Sequence, residues 1–385
     1  MGDDETVMEY IIWLQLVMNY GNNRVSRVFS YFKDAKAVFT ADRAEREKCG
    51  AFTRAELDKM DKLPLSRAQE ILNKCRKLGI VPIAIGDKDF PVCLSAIENP
   101  PLVIYVKGKL PDFDDTPSIC IVGPRNVSDF GKRAAFSLAS RLSRAGFIIV
   151  SGGAVGSDTY AHSGALKFGG VTVLVMGCGI NYRYLKENEE LRDKVVKNGC
   201  LISEYPPDTP ASPYNFPVRN RIMSALCVGT VVIEAHKKSG ALITAAHANN
   251  QGRDVFVIPG SPENKAYEGS NALLRDGAKP LLDASDIFNE YIVRFPDKIN
   301  IEKAFEKPSE EKENRNKPKL LPEGLSKEAK IVYNHLNGPK FYPEDIKDTG
   351  LSDDELISAL TELEISLVIK AKPGGQYEVV DKIRR

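Results

Sequence analysis

Residues 119–123 read Ile-Cys-Ile-Val-Gly, a short apolar run that ends in glycine. Later runs of the same character are separated by segments long enough for helices, and they occupy residues 147–150, 171–176, 200–203, 228–233 and 255–258. Strands that are apolar on both faces are typical of a sheet covered by helices on both sides, in which helical crossovers join parallel strands. We therefore predict an α/β fold with a Rossmann-like, open and mostly parallel sheet.

The chain on either side of this alternation has a different pattern. Residues 1–82 carry apolar side chains at helical spacing, such as Val25 and Phe32, and predict a small helical domain of the SAM or helix-hairpin-helix kind. The predicted Rossmann-like domain, with its flanking strands, extends over residues 83–295. Residues 296–320 contain thirteen charged residues in twenty-five, which predicts a solvated linker.

Residues 321–385 predict a C-terminal winged helix. Three short helices are expected at residues 329–336, 343–348 and 355–363, and two strands at residues 366–371 and 376–380. The segment holds nine basic and twelve acidic residues. Because phosphate contacts dominate the affinity of DNA-binding helices, we expect this domain to contact protein and not DNA.

The overall composition limits the possible functions. Fifty-three basic and fifty-two acidic residues give a formal net charge of +1, which leaves only a local patch for any polyanion. The seven cysteines form neither a disulfide framework nor a CxxC motif, and His236 and His247 lack an HExxH arrangement. We expect no metal and no cofactor. No run is long and apolar enough to cross a membrane and the N-terminus is acidic, so the expected location is cytoplasmic.

Glycine follows the predicted strands at their carboxyl ends. These glycines are Gly123, Gly152, Gly177, Gly240 and Gly260, with Arg125, Lys237 and Lys238 close to them in sequence. Glycine lets a backbone approach a ligand closely, and helix N-termini present unpaired N–H groups to anions. Because the carboxyl ends of parallel strands meet at one edge of a sheet, we predict a phosphate site there.

The kind of phosphate compound follows from the motifs. No GxGxxG follows the first strand and no GxxxxGK[ST] occurs, which argues against dinucleotide binding and nucleotide hydrolysis. A sugar-phosphate backbone fits better. Phe216 could stack on a base while Arg219 and Arg221 neutralise phosphates. The alternative, in which Phe216 fills the core and the arginines form internal ion pairs, stays open.

Several strings in order along residues 90–290 resemble the DNA-processing protein A (DprA/Smf) family. They are Val122-Gly123-x-Arg125, Ser151-Gly152-Gly153-x-x-Gly156-x-Asp158, Phe216-Pro217-x-Arg219-Asn220-Arg221 and Glu234-Ala235-x-x-x-Ser239-Gly240-x-Leu242-Ile243-Thr244. The sequence departs from the family pattern at Pro124, Gly153 and Ser157, and Tyr184-Leu185 lacks the proline that is usual there.

The resemblance implies a bacterial cytosolic protein that binds single-stranded DNA without catalysis. Such proteins protect incoming DNA in natural transformation, help to load a RecA-type recombinase in DNA recombination, and are typically homodimers. The residues that the resemblance places in the DNA groove are Gly123, Arg125, Ser151, Gly152, Gly153, Phe216, Arg219, Asn220, Arg221, Ser239, Gly240 and Thr244.

Two enzymatic alternatives were open to the same residues. Asp158 and His162 lie four apart and could form a hydrolase triad with a nearby serine, although no GxSxG motif is present. A nucleoside-phosphate phosphoribohydrolase on a related sheet would use a glutamate such as Glu234. Its PGGxGTxxE motif is incomplete, because residues 226–228 read Leu-Cys-Val where that motif has Pro-Gly-Gly.

Overall fold

The structure, a computed structural model, describes residues 2–306, 325–336, 340–346, 349–366, 368–372 and 375–379. The chain divides into two compact units, Met1–Glu306 and Lys307–Arg385. The first contains an N-terminal set of helices together with the large sheet, and the second contains the short C-terminal elements.

The N-terminal region is helical, as predicted. Its helices are α1 (Gly2–Met18), α2 (Val25–Tyr31), α3 (Ala35–Thr40), α4 (Arg43–Lys48), α5 (Arg54–Met60) and α6 (Ser66–Leu78). They pack around Trp13, whose ring is buried and whose Nε1 donates a hydrogen bond to the Leu63 carbonyl at 2.8 Å. Thr53 and Glu56 form a capping box that fixes where α5 begins.

The sheet has nine strands in the order β1-β2-β6-β5-β4-β3-β7-β8-β9. They are β1 (Val81–Ala84), β2 (Val103–Gly108), β3 (Ser118–Val122), β4 (Ile148–Ser151), β5 (Thr172–Met176), β6 (Cys200–Ser203), β7 (Gly229–Val232), β8 (Asp254–Val257) and β9 (Lys279–Pro280). Every pair from β6 across to β9 is parallel, whereas β1–β2 and β2–β6 are antiparallel. The predicted Rossmann-like, mostly parallel sheet is confirmed.

Helices cover both faces of this sheet. They are α7 (Val92–Ser95), α8 (Asp129–Arg144), α9 (Ser157–Leu166), α10 (Glu189–Asn198), α11 (Asn215–Ala225), α12 (Gly240–Asn250), α13 (Glu268–Arg275), α14 (Ala284–Tyr291) and α15 (Ile301–Phe305). The side chains of successive residues in β3 point to opposite faces of the sheet. Ile119 belongs to the core that includes Leu138 of α8, and Cys120 to the core that includes Ile222 of α11. This alternation explains why four successive residues of β3, Ile119 to Val122, are all apolar.

The strand order reverses between β3 and β7. The chain proceeds from β3 outward through β4, β5 and β6, then returns to place β7 on the other side of β3. Cys120 of β3 accordingly pairs with Val150 of β4 on one side and with Thr230 of β7 on the other. Such a switch leaves a crevice at the carboxyl ends of the two central strands, because their connections leave in opposite directions.

The structure differs from the predicted linker in residues 296–306. This segment carries α15, with Ile299 and Ala304 buried in the same core as α8 and the Phe305 ring centroid 6.1 Å from that of Phe288. The high charge of the segment concealed a short apolar face. The remainder of the predicted linker, residues 307–320, lies outside the described residues.

The second unit contains α16 (Lys327–Asn334), α17 (Asp353–Ile365) and the strands β10 (Lys340–Phe341), β11 (Ile369–Ala371) and β12 (Tyr377–Val379). The strands pair antiparallel in the order β10-β12-β11, and Ala329, Val332, Leu360 and Leu363 form the core. A 3-10 turn at Pro343–Asp345 stands where a helix at residues 343–348 was predicted, and residues 347–348 lie outside the described residues. The winged helix itself stays a prediction.

Candidate nucleic-acid interface

A cavity of about 570 Å³ lies at the switch point, where β3, β4 and β7 end. Nine of the residues predicted to contact DNA line it: Gly123, Arg125, Gly152, Phe216, Arg219, Asn220, Ser239, Gly240 and Thr244. They come from the loops after β3 and β4, one face of α11 and the start of α12. Residues far apart in sequence therefore surround one opening, at the place where open α/β sheets bind ligands.

Arg219 forms the floor of the cavity. Its side chain is buried, with 6% of the residue exposed, and its Nη1 donates hydrogen bonds to the carbonyls of Gly152, at 2.8 Å, and Val175. A Cβ atom at position 152 would lie 2.7 Å from Arg219 Cζ, so only glycine leaves room for the guanidinium. Position 152, directly after β4, therefore requires glycine, because a side chain there would overlap the guanidinium that α11 places in the cavity.

Asp158 faces the same cavity and offsets part of the Arg219 charge. Burial raises the pKa of Asp158, while the Arg219 guanidinium and the Ala154 N–H, which donates to Oδ2 at 3.1 Å, oppose that rise. Burial also lowers the pKa of Arg219. Because a guanidinium still titrates far above neutral pH, the floor keeps a fixed positive charge beside a carboxyl group.

Phe216 forms a wall of the cavity between two guanidinium groups. The Cζ atoms of Arg125 and Arg219 each lie 5.9 Å from the Phe216 ring centroid, and the Tyr184 centroid lies 5.2 Å from it. Phe216 is half-buried, and Arg125 is exposed with no ion pair to any residue that the structure describes. An aromatic face bordered by cations suits stacking on a base whose phosphates need neutralising.

The start of α12 supplies backbone donors. Ser239 caps this helix, its Oγ accepting a hydrogen bond from the Ala241 N–H at 3.3 Å, and Gly240 is exposed at the first helical position. All three residues line the cavity. A helix of eleven residues directs the positive end of its dipole and the Gly240 N–H toward this opening, which favours an anion there.

Three predicted DNA contacts are not brought to the cavity. The Ser151 hydroxyl donates to the Ile121 carbonyl at 2.7 Å, and Gly153, with φ +67°, packs against the side chain of Leu174. Arg221 is buried on the other side of α11, where it pairs with Glu204 at 2.7 Å. Residues two apart on a helix point in nearly opposite directions, so Arg219 and Arg221 cannot both face one cavity.

Tyr184 is a cavity residue that was not predicted to contact DNA. It lies in the connection between β5 and α10, eight residues beyond the end of β5, and contacts Phe216. Its sequence signal was the departure from the family pattern at Tyr184-Leu185. Pro124 also lines the cavity, and its carbonyl accepts hydrogen bonds from the N–H and the hydroxyl of Ser157, both at 3.3 Å. Two departures from the family pattern therefore contact each other.

Glu234 and His162, one residue from each enzymatic alternative, are buried and hydrogen-bonded away from the cavity. The carboxylate of Glu234, which is 1% exposed, accepts hydrogen bonds from the N–H of Ser128 at 3.1 Å, the hydroxyl of Ser128 and the hydroxyl of Tyr267 at 2.9 Å. His162 Nδ1 donates to Thr172 Oγ1 at 2.8 Å, since that hydroxyl donates to the Ile149 carbonyl. Burial, with a smaller contribution from Arg219, lowers the pKa of His162 to about 3.

The described part of the chain contains neither a metal-binding cluster nor a membrane-spanning helix. Among its His, Cys, Asp and Glu side chains, no group of three or more could hold a metal ion. Nor does any helix there have the length and apolar character to cross a membrane.

The chain is similar to known DNA-processing proteins. It is 40% identical over 220 residues to DNA processing protein DprA of Bacillus subtilis (strain 168), covering 57% of this chain and 74% of that protein. The crystal structure of DprA from Streptococcus pneumoniae superposes with a TM-score of 0.64 at 31% identity, covering 73% of this chain and 97% of that one.

A second solved structure, of DNA processing protein A from Helicobacter pylori, is described for its mode of single-stranded DNA binding. It matches with a TM-score of 0.51 at 27% identity, over 56% of this chain and 96% of that one. The sequence profile of DNA recombination-mediator protein A matches residues 82–292, which include the whole parallel sheet and the cavity. The resemblance read from the motifs is thus confirmed, and the chain belongs to the DNA recombination-mediator protein A family.

Proposed function

We propose that this protein binds single-stranded DNA in the cavity at the switch point, without catalysis. The observation that carries the proposal is the Phe216 ring bordered by Arg125 and Arg219 above a helix N-terminus. The ring offers a stacking surface, the guanidiniums neutralise phosphates, and the N–H groups of α12 bind phosphate oxygens. None of these contacts reads base identity, so binding is independent of sequence.

The proposal extends to the cellular role that the family suggests. The protein acts in the cytoplasm, protects incoming DNA strands in natural transformation and helps to load a RecA-type recombinase, as a homodimer that offers two cavities to one strand. The names of the relatives and the single-stranded DNA described for the Helicobacter pylori protein support this role. The C-terminal unit contacts protein, because α17 begins with the acidic residues Asp353, Asp354 and Glu355.

The test is a binding titration of oligo-dT and of duplex DNA of equal length over a series of salt concentrations. We expect the single strand to bind more tightly, with log K falling by about 0.7 per phosphate contacted for each unit of log salt. The proposal would be contradicted if duplex bound as tightly as oligo-dT or more tightly, or if the affinity did not change with salt concentration.

The phosphoribohydrolase alternative is disfavoured by the placement of Glu234. Its carboxylate is held by Ser128 and Tyr267 and does not line the cavity. A catalytic glutamate must reach the substrate within hydrogen-bond distance. Incubation with nucleoside monophosphates should therefore release no free base.

A further inference from the structure

Arg221 and Glu204 form a buried ion pair on the side of α11 that faces away from the cavity. The residues are 1% and 3% exposed, and Arg221 Nη2 donates to Glu204 Oε1 at 2.7 Å. Glu204 directly follows β6, so the pair connects α11 to the end of a strand. Neither residue lines the cavity.

The N-terminal helices cover this pair. The turn after α1 lies on α11, since a Cβ atom at Gly21 would be 2.7 Å from Val218 Cγ1 and 3.6 Å from Arg221 Nε. Gln15 of α1 donates through its Nε2 to the Glu204 carbonyl at 3.1 Å. The ring centroids of Tyr20 and Tyr205 are 4.4 Å apart at the same boundary. Helix α11 is thus held between the N-terminal region and the sheet.

Stability alone does not account for the pair. Glu204 Oε2, Arg221 Nε and Arg221 Nη1 are buried without a hydrogen-bond partner among the residues that the structure describes. Burial raises the pKa of Glu204, and the Arg221 guanidinium and the Gly21 N–H offset only part of that rise. Incompletely bonded buried pairs are often less stabilising than apolar residues of similar volume. Their best-attested use is to select one geometry.

The geometry that this ion pair would select is the rotation of α11 about its own axis. Arg219 and Asn220 immediately precede Arg221, and with Phe216 they present the opposite face of the helix to the cavity. A helix turns about 100° per residue, so any rotation that relaxed Arg221 would move Arg219 away from the Gly152 carbonyl. The orientation of the floor and wall of the cavity therefore depends on what Arg221 contacts.

We propose that Arg221 and Glu204 are positioning residues of the DNA site, through which the N-terminal helices hold α11 with Phe216, Arg219 and Asn220 facing the cavity. The inference rests on the proposed binding of single-stranded DNA. It gives Arg221 a role other than the DNA contact predicted from sequence. It also makes residues of the N-terminal region, outside the segment matched by the family profile, part of what sets DNA affinity.

The experiment compares Glu204→Gln with Glu56→Gln in the full chain. Glu56 forms a partly buried pair with Arg24 at 2.7 Å inside the N-terminal region, and its side chain bonds to Arg24 and Thr53, not to α11. Below the unfolding temperature of both variants, we expect Glu204→Gln to weaken oligo-dT binding about ten-fold, which is about 1.4 kcal/mol. Glu56→Gln should leave the Kd within about two-fold while lowering the unfolding temperature. Equal losses in both variants, or none in Glu204→Gln, would overturn the inference.

Two further measurements separate positioning from general stability. In an Arg219→Ala background, Glu204→Gln should weaken oligo-dT binding by about two-fold or less, because the guanidinium that Glu204 helps to position is absent. Hydrogen exchange of the amides of residues 216–220 in free protein should accelerate in Glu204→Gln and not in Glu56→Gln. Unchanged exchange in α11 would refute the inference whatever the DNA result. Absence of oligo-dT binding by the unchanged protein would instead refute the proposed function.

If Glu204→Gln does not fold, the paired variant Glu204→Met with Arg221→Met removes both charges together. Replacing both partners of a buried pair with apolar residues is commonly neutral or stabilising. We expect this variant to fold and still to bind oligo-dT about ten-fold more weakly, because α11 has lost the contact that sets its orientation. Wild-type affinity in this variant would show that the pair does not position the site.

Discussion

Arg125 and Arg219 lie against the same aromatic ring but in different environments. Arg219 is held by backbone carbonyls and is nearly inaccessible, whereas Arg125 is exposed and free of ion pairs within the described part of the chain. The buried arginine is therefore already oriented before DNA binds. In the proposed function, the exposed arginine pairs with a phosphate of the bound strand.

Arg125→Ala should remove one phosphate contact. We expect weaker binding of all oligonucleotide sequences alike, and a salt dependence shallower by about 0.7 in the slope of log K against log salt. The matched control is Arg133→Ala, an exposed arginine on α8 that does not line the cavity. Fluorescence anisotropy over a salt series measures both slopes, and an unchanged slope in Arg125→Ala would place the strand elsewhere.

Gly152→Ala should act through Arg219. The added Cβ would overlap the guanidinium, so we expect oligo-dT affinity to fall by about ten-fold or more, since hydrogen bonds to charged groups typically contribute about 1.5–3 kcal/mol. In Arg219→Ala the space is vacant, and the same glycine substitution should then have little effect. Additive losses in the double variant would mean that Gly152 contributes independently of Arg219.

His162 makes stability depend on pH in the acidic range. The folded protein keeps the imidazole neutral down to about pH 3, whereas an unfolded histidine titrates near 6.5. As the pH falls below 6.5, the unfolded state binds a proton at this histidine and the folded state does not. The free energy of unfolding therefore drops by up to about 1.4 kcal/mol per pH unit. This contribution is complete above pH 6.5.

His162→Gln should flatten that dependence. Asp158 and Glu204, whose pKa values burial raises, contribute in the opposite direction, but they are common to both proteins. Urea unfolding between pH 7 and pH 4.5 measures the difference. Parallel curves for the two proteins would show that His162 titrates normally when folded.

At the level of elements, features that depend on local sequence pattern were predicted from the sequence. Features that depend on contacts between distant segments were not. The central parallel strands were predictable because each contains a run of apolar residues that faces both sides of the sheet. The cavity was predictable because the carboxyl ends of parallel strands converge. Tyr184 and α15 were not, because a loop excursion and a short apolar face in a charged segment carry no periodic signal. Which of Arg219 and Arg221 faces the cavity depends on how α11 is rotated about its axis, and that rotation is set by the elements packed against the helix.

Glu234 connects three elements: it follows β7, accepts hydrogen bonds from Ser128 at the start of α8, and contacts Tyr267 before α13. Glu234→Gln keeps the shape and removes acceptors, so we expect it to lower the free energy of unfolding by about 1–3 kcal/mol. The Kd for oligo-dT should stay within about two-fold. Chemical unfolding and anisotropy report the two effects, and a large loss of DNA affinity would assign Glu234 to the binding site.

At the scale of the whole molecule, the two compact units are predicted to have separate roles. A chain that ends at Glu306 keeps every cavity residue, whereas the C-terminal unit contributes the acidic start of α17. We expect this shortened protein to bind oligo-dT with unchanged affinity and salt dependence. A loss greater than about three-fold would show that the C-terminal unit contributes to binding.

The outer strands of the large sheet restrict how copies of this protein can associate. The edge strand β1 includes Pro82, and the edge strand β9 has only two residues, one of them Pro280. Proline offers no N–H, so neither border presents an uninterrupted row of donors to an incoming strand. Edge-to-edge pairing of two copies through the large sheet, a route that leads other open sheets to aggregation, is thereby disfavoured. We expect self-association to use the helices, the loops or the C-terminal unit instead.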